Sequence, residues 1–172
     1  MFAICADFQN ADSFKFNKSE NSPIIIGVIS DTHGSLVPAA VKVLKAADLI
    51  IHAGDIDTPD VLKSLRNIAP VVAVKGNMDK GRWAFDLKAT ETIQVGKVSL
   101  CILHDIMQLD LKPAGNFHAV ISGHTHRAFN KTQNGVLFLN PGSASLPKHN
   151  LPATVAVLSV NGTSLNVEFK EL

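Results

Sequence analysis

The sequence is short of several features that mark particular classes of protein. It has two cysteines, Cys5 and Cys101, and no tyrosine. The two cysteines lie far apart in the sequence and do not have the spacing of a disulfide framework, which favours a reducing compartment. Its apolar runs reach only about eight residues, too few to span a bilayer. We therefore expect a cytoplasmic protein without a membrane segment.

An excess of charge of either sign is also absent. The chain has 16 basic and 15 acidic residues and a formal net charge of +1. A nearly neutral chain lacks the electrostatic footprint of a protein that binds nucleic acid or an anionic membrane. A phosphate-bearing ligand would therefore have to be recognised locally, by a few residues.

The length of 172 residues suits one domain with a full hydrophobic core and is too short for two domains of typical size. Residues 1–22 are polar and aperiodic, and they lack the basic start and apolar stretch of a signal peptide. We expect residues 1–22 to be a poorly ordered N-terminal extension and residues 23–172 to be a single domain. The oligomeric state stays open, and a homo-oligomer is one of the alternatives.

From Ile24 onward, short β-branched runs alternate with amphipathic segments. The runs "IIIGVIS", "LIIHAG" and "VVAVKGN" predict strands, and "LVPAAVKVLKAA" and "TPDVLKSLRNI" predict helices. Thr58 and Pro59 form a typical pair of N-cap and first helical residue. The order βαβαβ favours parallel strands joined by right-handed helical crossovers.

The second half of the chain has the pattern of hairpins. "ETIQVGKVSLCIL" predicts two strands around a turn at Val95-Gly96, and "QNGVLFLN" and "LSVNGTSLNVEF" each contain an Asn-Gly turn signal. This half is therefore expected to be mostly antiparallel. One sheet of so many strands would be very wide, so two packed sheets flanked by helices are the more economical architecture.

Five predicted strands are each followed by side chains that can bind a metal ion. They are Asp31 and His33 after the first strand, Asp55 after the second, Asn77 after the third, His104 after a fourth, and His124 and His126 after the apolar run from Ala119 to Ser122. Loops at the carboxyl ends of strands are where α/β sheets bind ligands. Side chains two positions apart in extended backbone point to the same face, so His124 and His126 can reach one ligand.

These side chains offer oxygen and nitrogen but no thiolate. A lone histidine is usually a solvated or hydrogen-bonded residue, and only the partners at the other strand ends weigh against that interpretation. Such a set suits manganese, iron, zinc or cobalt. Seven ligands exceed the needs of one tetrahedral ion, whereas two ions sharing one carboxylate would each have four protein ligands.

The blocks "DTHG", "GD", "GN", a lone histidine after a strand, "GHTH" and "NPGSASLPK" resemble, in this order, the calcineurin-like metallophosphoesterases. The resemblance is strongest to the small, single-domain phosphodiesterase branch of bacteria and archaea, and it runs from about Ile24 to the end. It implies an α/β fold, a four-layer αββα sandwich of two mixed sheets flanked by helices. That architecture agrees with the one predicted from the strand and helix pattern.

The resemblance also implies a site with two divalent ions per chain. Asp31, His33 and His126 would hold one ion. Asn77, His104 and His124 would hold the other, and Asp55 would bridge the two. Manganese is the first choice, with iron, zinc, cobalt or nickel as alternatives.

The implied activity is hydrolysis of a small phosphodiester or related phosphate ester by a hydroxide shared between the two ions. The residues at the reacting centre would be Asp55, Asn77, His104 and His124. Much of the wider family has histidine after the asparagine, but this chain has Met78, which cannot donate a proton. Poor leaving groups should then be handled badly, which argues against a phosphomonoesterase.

A protein-interaction scaffold is the alternative from another class of function, because a eukaryotic retromer subunit resembles this fold and has an impaired metal site. A complete ligand set favours the enzyme.

Other polar residues near these motifs are expected to support the site or to have no part in it. His52 is interpreted as a hydrogen-bonded supporting residue rather than a ligand. Asp79 is expected to have a similar role, and Asp57 is a weaker candidate. Asn140 and Ser143 lie in a segment that ends a strand and could support the site, but a structural turn is the favoured interpretation. His118 and His149 are assigned to the surface.

Overall fold

The structure is a computed structural model that describes residues 3–4, 14–18, 22–110, 117–148 and 150–172. The strands in these ranges are β1 (Ala3–Ile4), β2 (Phe14–Phe16), β3 (Ile24–Ile29), β4 (Leu49–His52), β5 (Val71–Ala73), β6 (Thr90–Val95), β7 (Val98–Leu103), β8 (Leu109–Asp110), β9 (Ala119–Ile121), β10 (Ala128–Gln133), β11 (Val136–Pro141), β12 (Thr154–Asn161) and β13 (Ser164–Glu171). The α-helices in these ranges are α1 (Pro38–Leu44) and α2 (Pro59–Arg66), and short 3-10 helices span Arg82–Ala84 and Ile106–Gln108.

The first half of the chain builds most of a five-stranded sheet of order β13-β12-β3-β4-β5. Strands β3, β4 and β5 are parallel, with α1 and α2 as the crossovers, so the βαβαβ prediction is confirmed. Thr58 is the N-cap of α2 and Pro59 its first residue, although the Thr58 side chain makes no capping hydrogen bond. Strand β12 adds antiparallel to β3 and forms a hairpin with β13.

The second sheet has six strands in the order β10-β11-β9-β7-β6-β2. The predicted hairpins β6–β7 and β10–β11 are both present. Asn134 and Gly135, between β10 and β11, have φ of 51° and 80°, as a tight Asn-Gly hairpin turn requires. The central strand β9 is parallel to both neighbours, so the sheet is mixed.

The two sheets enclose the main core. Ile26, Leu49, Ile102 and Leu158 are among its fully buried members. Each such side chain contributes about 1.5–3 kcal/mol when it leaves water. The predicted class, a sandwich of two mixed sheets with helices outside, is confirmed.

The outer faces of the two sheets are covered differently. Helices α1 and α2 pack on the five-stranded sheet through residues such as Leu44 and Leu65, which belong to the same buried cluster as Ile29 and Ile50. In the described part of the chain, the outer layer on the six-stranded sheet is a smaller cluster around Cys101, Leu103, Phe117 and Val120, next to the 3-10 helix Ile106–Gln108. This layer therefore contributes no α-helix within the described residues.

Part of the N-terminal segment lies within the described residues. Strand β2 pairs parallel with β6 at the edge of the six-stranded sheet, and Lys18 Nζ donates to Asp48 at 2.9 Å. Residues 14–18 are therefore attached to the domain. Residues 1–2, 5–13 and 19–21 lie outside the described residues, so the expectation stays a prediction for them.

Two findings bear on the expected location. Cys101 is fully buried in β7 and is not a free thiol, and the expected reducing compartment stays a prediction. Among the described residues, no helix has the length and apolar character that a membrane crossing demands.

Candidate metal centre

The seven predicted ligand residues come together where the carboxyl ends of strands from both sheets meet. The five-stranded sheet supplies Asp31 and His33 after β3, Asp55 after β4 and Asn77 after β5, and the six-stranded sheet supplies His104 after β7 and His124 and His126 after β9. The centre thus lies on the seam between the two sheets.

The first ligand group consists of Asp31, His33 and His126. Asp31 Oδ1 lies 3.1 Å from His126 Nε2, which lies 3.4 Å from His33 Nε2. The ligand atoms of all three residues lie within 4.8 Å of one another. Asp31 is fully buried and His126 is nearly so. One ion could therefore contact all three side chains.

The second ligand group consists of Asn77, His104 and His124. Asn77 Oδ1 lies 3.1 Å from His104 Nε2 and 3.0 Å from His124 Nδ1. The two imidazole rings meet edge to face at a centroid distance of 5.1 Å. Asp55 Oδ2 lies 3.3 Å from His104 Nε2. Ligand atoms of Asp31, Asp55 and His104 also lie within 4.8 Å of one another, so the two aspartates connect the two groups.

Hydrogen bonds on the far side of two rings determine which imidazole nitrogen carries the proton. His104 Nδ1 lies 2.8 Å from the carbonyl oxygen of Ala53, and His126 Nδ1 lies 2.6 Å from that of Leu146. A carbonyl oxygen only accepts, so Nδ1 is the donor in both rings. In the neutral rings, Nε2 therefore presents a lone pair to the centre.

His33 is oriented in the same way by a carboxylate. Its Nδ1 lies 3.1 Å from Asp57 Oδ2, which accepts the hydrogen bond and leaves Nε2 free to bind a metal. Asp57 was ranked below Asp79 on sequence, yet it is the residue that contacts a candidate ligand directly. Its position two residues after Asp55 was the only sequence signal.

The donor atoms fit a cation. Lone pairs of His104 Nε2 and of the Asp55 and Asn77 oxygens face one another, which is unfavourable unless a proton or a cation lies between them. Asp31 Oδ1 is buried and has no hydrogen-bond partner among the described residues. A buried carboxylate oxygen without a donor is costly, and a metal ion would satisfy it. Oxygen and imidazole donors without thiolate suit the divalent ions predicted above.

Burial and pairing shift three pKa values in the metal-free protein. Burial raises the pKa of Asp31, against the hydrogen bond from Ser30 Oγ. Burial also opposes ionisation of Asp55, but hydrogen bonds from His104 and from the Met78 amide outweigh it and lower that pKa. Burial would lower the pKa of His104, but the hydrogen bonds to Asp55 and Ala53 raise it. The opposite shifts of Asp55 and His104 both come mainly from the contact between these two side chains, 3.3 Å apart, working against burial.

The ligand loops contain an unusual concentration of left-handed backbone. Six non-glycine residues in them have positive φ: Asp31 (52°), His33 (44°), Asp55 (54°), Asp57 (67°), His124 (70°) and His126 (58°). This conformation costs about 1–2 kcal/mol for a residue with a Cβ, although Asp and His tolerate it better than most. Such clusters mark functional sites, where the surrounding structure holds the strained geometry.

Asp79 holds two of these loops together. Its Oδ1 accepts from the amides of Ile56 and Asp57, both at 2.7 Å, and its Oδ2 accepts from the Gly76 amide at 2.7 Å. The carboxylate thereby joins the Asp55 loop to the Asn77 loop. Gly76 itself leaves no room for a side chain, since a Cβ there would lie 2.2 Å from Asp55 N and Oδ1.

His52 is fully buried behind the centre and is no ligand of either group. Its Nε2 lies 3.0 Å from Thr32 Oγ1, and its Nδ1 accepts from the Gly54 amide at 3.2 Å. Burial, followed by the nearby charge of His104, lowers the pKa of His52 to about 3. The ring is therefore neutral and braces the Asp31 and Asp55 loops.

The segment after β11 also supports the centre, beyond the structural turn assigned to it. Ser143 Oγ donates to the Asp31 carbonyl at 2.9 Å, and Ser145 Oγ donates to the Thr32 carbonyl at 2.7 Å. Asn140 donates from Nδ2 to the Gly123 carbonyl at 2.6 Å. The support by Asn140 and Ser143 is the alternative that the sequence ranks second, because serines in a Pro-Gly turn look alike in sequence whether they face solvent or a ligand loop.

His118 takes no part in the centre. His118 is half-buried rather than on the surface, and its Nδ1 accepts from the Ser99 amide at 3.2 Å. His149 lies outside the described residues.

Comparison with known proteins identifies the family of the chain. Residues 24–163 match the calcineurin-like phosphoesterase superfamily domain. The chain is 33% identical over 162 residues to a "probable metallophosphoesterase" of Methanothermobacter thermautotrophicus, covering 84% of this chain and 91% of that protein.

Solved structures show the same fold. An archaeal phosphodiesterase superposes with a TM-score of 0.73 at 23% identity, covering 86% of this chain and all of the other (100%). Vacuolar protein sorting 29 of Cryptosporidium parvum has a TM-score of 0.72 at 20% identity, covering 88% and 99% of the two chains. The chain belongs to the calcineurin-like phosphoesterase superfamily.

Proposed function

We propose that this protein is a phosphodiesterase that uses two divalent metal ions per chain. The observation that carries the proposal is the convergence of two nitrogen- and oxygen-rich ligand groups, connected by Asp31 and Asp55, on one edge of the sandwich. Manganese is the proposed ion, with iron, zinc, cobalt and nickel as alternatives.

The residues would divide between the ions as the family resemblance implies. Asp31, His33 and His126 hold one ion, and Asn77, His104 and His124 hold the other. Asp55 bridges them. Two ions bound there would supply Lewis acidity toward the phosphoryl group and lower the pKa of a water held between them.

The chain supplies orientation and hydrogen bonds. Asn77 is exposed, and its Oδ1 points toward His104 and His124, so its Nδ2 is turned away from them. That amide donates to a phosphoryl oxygen and stabilises the charge that develops on it. His104 and His126 are kept in one tautomer by the carbonyls of Ala53 and Leu146, which leaves both rings fixed before substrate arrives.

A diester is preferred over a monoester because the loop offers no proton to the leaving group. Met78 follows Asn77, its side chain is 44% exposed, and a thioether donates nothing. Diesters with acidic alcohols need little such help.

An interaction scaffold of the same fold is the competing proposal, since the fold alone suits both. The completeness of the ligand groups favours the enzyme. A scaffold would not require three histidine rings, each held in one orientation around an orphaned aspartate oxygen.

The test uses metal-stripped protein reloaded with each ion in turn. Bis(4-nitrophenyl) phosphate should be hydrolysed faster than 4-nitrophenyl phosphate, and elemental analysis should find two ions per chain. Asp55→Ala should lose both ions and the activity. Asp86→Ala, which removes an exposed carboxylate outside the centre, should behave as wild type. Full activity in Asp55→Ala, or no diesterase activity with any ion, would overturn the proposal.

A further inference from the structure

A cleft opens directly beside the second ligand group. It has a volume of about 200 Å³ and is lined by Lys75, Gly76, Asn77, Ala89, Leu103, His104 and Gln108. Asn77 and His104 belong to the candidate centre, so a molecule whose phosphate lies on that centre has one end at the mouth of this cleft.

The size of the cleft limits what can enter it. A cavity of about 150 Å³ is enough for one benzene ring, and whole drug-sized ligands occupy about 300–1,000 Å³. A space of about 200 Å³ therefore fits one ring with a substituent. That is one alcohol portion of a diester rather than the whole substrate.

The lining combines apolar and polar side chains. Leu103 is 1% exposed, and its apolar side chain suits the face of a ring. Lys75 is half-buried and Gln108 is exposed. Among the described residues, no carboxylate forms an ion pair with Lys75, whereas the nearby Lys88 pairs with Glu91 at 3.2 Å. An unpaired ammonium at the rim of a ring-sized cleft favours a ring that carries an anionic group.

We propose that this cleft binds one alcohol portion of the diester substrate, a ring with an anionic substituent such as a carboxylate or a second phosphate, and that Lys75 recognises that anion. The proposal rests on the proposed phosphodiesterase function and makes Lys75 a specificity-determining residue. Its backbone amide donates to the Lys88 carbonyl at 2.8 Å, which fixes the start of the side chain in front of β6. The Gln108 amide group, whose Nε2 also donates to Asp105 Oδ2 at 3.5 Å, offers a second donor to the same substituent.

The experiment compares two diesters that share the 4-nitrophenyl leaving group and differ by one carboxylate, 4-nitrophenyl phenyl phosphate and 4-nitrophenyl 3-carboxyphenyl phosphate. The readout is the ratio of the two kcat/KM values. In wild type the carboxylated diester should be favoured about tenfold, as a charge-assisted hydrogen bond at a partly exposed site provides. Lys75→Met should bring the ratio close to one, and Lys75→Arg should restore most of the preference.

Lys97→Met is the matched control. Lys97 is exposed in the turn between β6 and β7, at the end of those strands opposite the cleft, and its removal should leave the ratio unchanged. Equal ratios in wild type and Lys75→Met would overturn the assignment of Lys75.

A binding measurement separates this proposal from the proposed function. Calorimetry should show that 3-carboxyphenylphosphonate binds wild type about tenfold more tightly than phenylphosphonate and that Lys75→Met loses the difference. If neither diester is hydrolysed but this discrimination is present, the phosphodiesterase proposal fails and the cleft assignment stands. If both phosphonates bind equally well to wild type, the cleft assignment fails whatever the turnover.

Discussion

The Nε2 atoms of His33 and His126 face each other at 3.4 Å, although 93 positions separate the two residues in the chain. Each ring already has an acceptor for its Nδ1 proton, Asp57 for His33 and the Leu146 carbonyl for His126. Two neutral rings in these tautomers present lone pairs to each other, which only a shared positive charge makes favourable. The groups behind the rings therefore determine how well the pair binds metal.

Removing Asp57 should weaken metal binding without removing a ligand. Asp57→Ala leaves the His33 ring without its orienting acceptor, and loss of such a partner typically costs 10–100-fold in metal affinity. Asp57→Asn keeps an acceptor oxygen and should lose less. Calorimetry with Mn²⁺ measures both, with Asp60→Ala, at an exposed position in the first turn of α2, as control. Wild-type affinity in Asp57→Ala would contradict the role given to this carboxylate.

Removing Asp79 should destabilise the fold itself. Asp79→Ala leaves the amides of Ile56, Asp57 and Gly76 without their acceptor. Each unsatisfied buried donor costs about 1–3 kcal/mol, so we expect a loss of about 3–5 kcal/mol in the free energy of unfolding. Urea unfolding of the metal-free protein measures it. The exposed Asp86→Ala should stay within about 0.5 kcal/mol of wild type, and a loss below about 1 kcal/mol in Asp79→Ala would refute the prediction.

His52 should make the protein less stable in mild acid. Its pKa in the folded protein is about 3, lowered from the ordinary value of 6.5 by burial and by the charge of His104. As the pH falls below about 6.5 the unfolded chain takes up a proton at this position while the folded chain does not, so the free energy of unfolding decreases. The contribution is fully present at neutral pH and is lost progressively from about pH 6.5 down to about 3.

The readout is the slope of unfolding free energy against pH in metal-free protein. His52 adds up to about 1.4 kcal/mol per pH unit in this window, and His52→Gln should remove that part of the slope. His118→Gln, which changes a half-buried histidine away from the centre, is the control. Parallel slopes for wild type and His52→Gln would show that the buried ring titrates with some other pKa.

Met78 is the position where substrate preference can be shifted. Met78→His places a proton donor beside the centre without touching the backbone amide that donates to Asp55 Oδ1 at 2.8 Å. Positioned acid catalysis is worth about 10²–10⁴-fold, and an unsupported histidine should supply only a fraction, roughly tenfold for monoesters relative to an activated diester.

Aryl phosphates of graded leaving-group pKa provide the measurement for Met78. The slope of log rate against that pKa should be shallower in Met78→His, with unchanged metal content. Met107→His, at an 82% exposed position away from the ligand groups, should keep the wild-type slope. Parallel slopes in all three proteins would mean that pocket shape or charge, rather than a missing proton donor, disfavours monoesters.

Local features of the fold were predictable because local forces produce them. The βαβαβ order follows from hydrophobic periodicity, and the hairpin at Asn134-Gly135 follows from a turn that needs two residues with positive φ. The parallel position of β9 between β7 and β11, and the addition of β12 beside β3, depend on contacts between distant residues. No local pattern encodes such pairing.

The ligand residues were visible in sequence because each ends an apolar strand. Their supports were harder to recognise. Asp57 and Asp79 are both loop carboxylates in the sequence. Only the structure shows that Asp57 orients the His33 imidazole and that Asp79 accepts hydrogen bonds from three backbone amides. The Ser143 hydroxyl donates to the Asp31 carbonyl, which lies more than a hundred positions away in the sequence. The Leu146 group that accepts from His126 is a main-chain carbonyl, which no residue type marks in the sequence.

The seam between the sheets has a consequence for variants far from any ligand. Four of the seven ligand residues follow strands of the five-stranded sheet and three follow strands of the six-stranded sheet, so the distance between these two sets depends on how the inward faces of the sheets pack. Protein interiors are close-packed and transmit strain, and a cavity at a core position is only partly filled by relaxation. Leu158 in β12 is fully buried in the core between the two sheets. None of the ligand loops follows its strand. Truncation of the Leu158 side chain would change the distance between the ligands of the two sheets. Metal affinity therefore reports on the packing of the core.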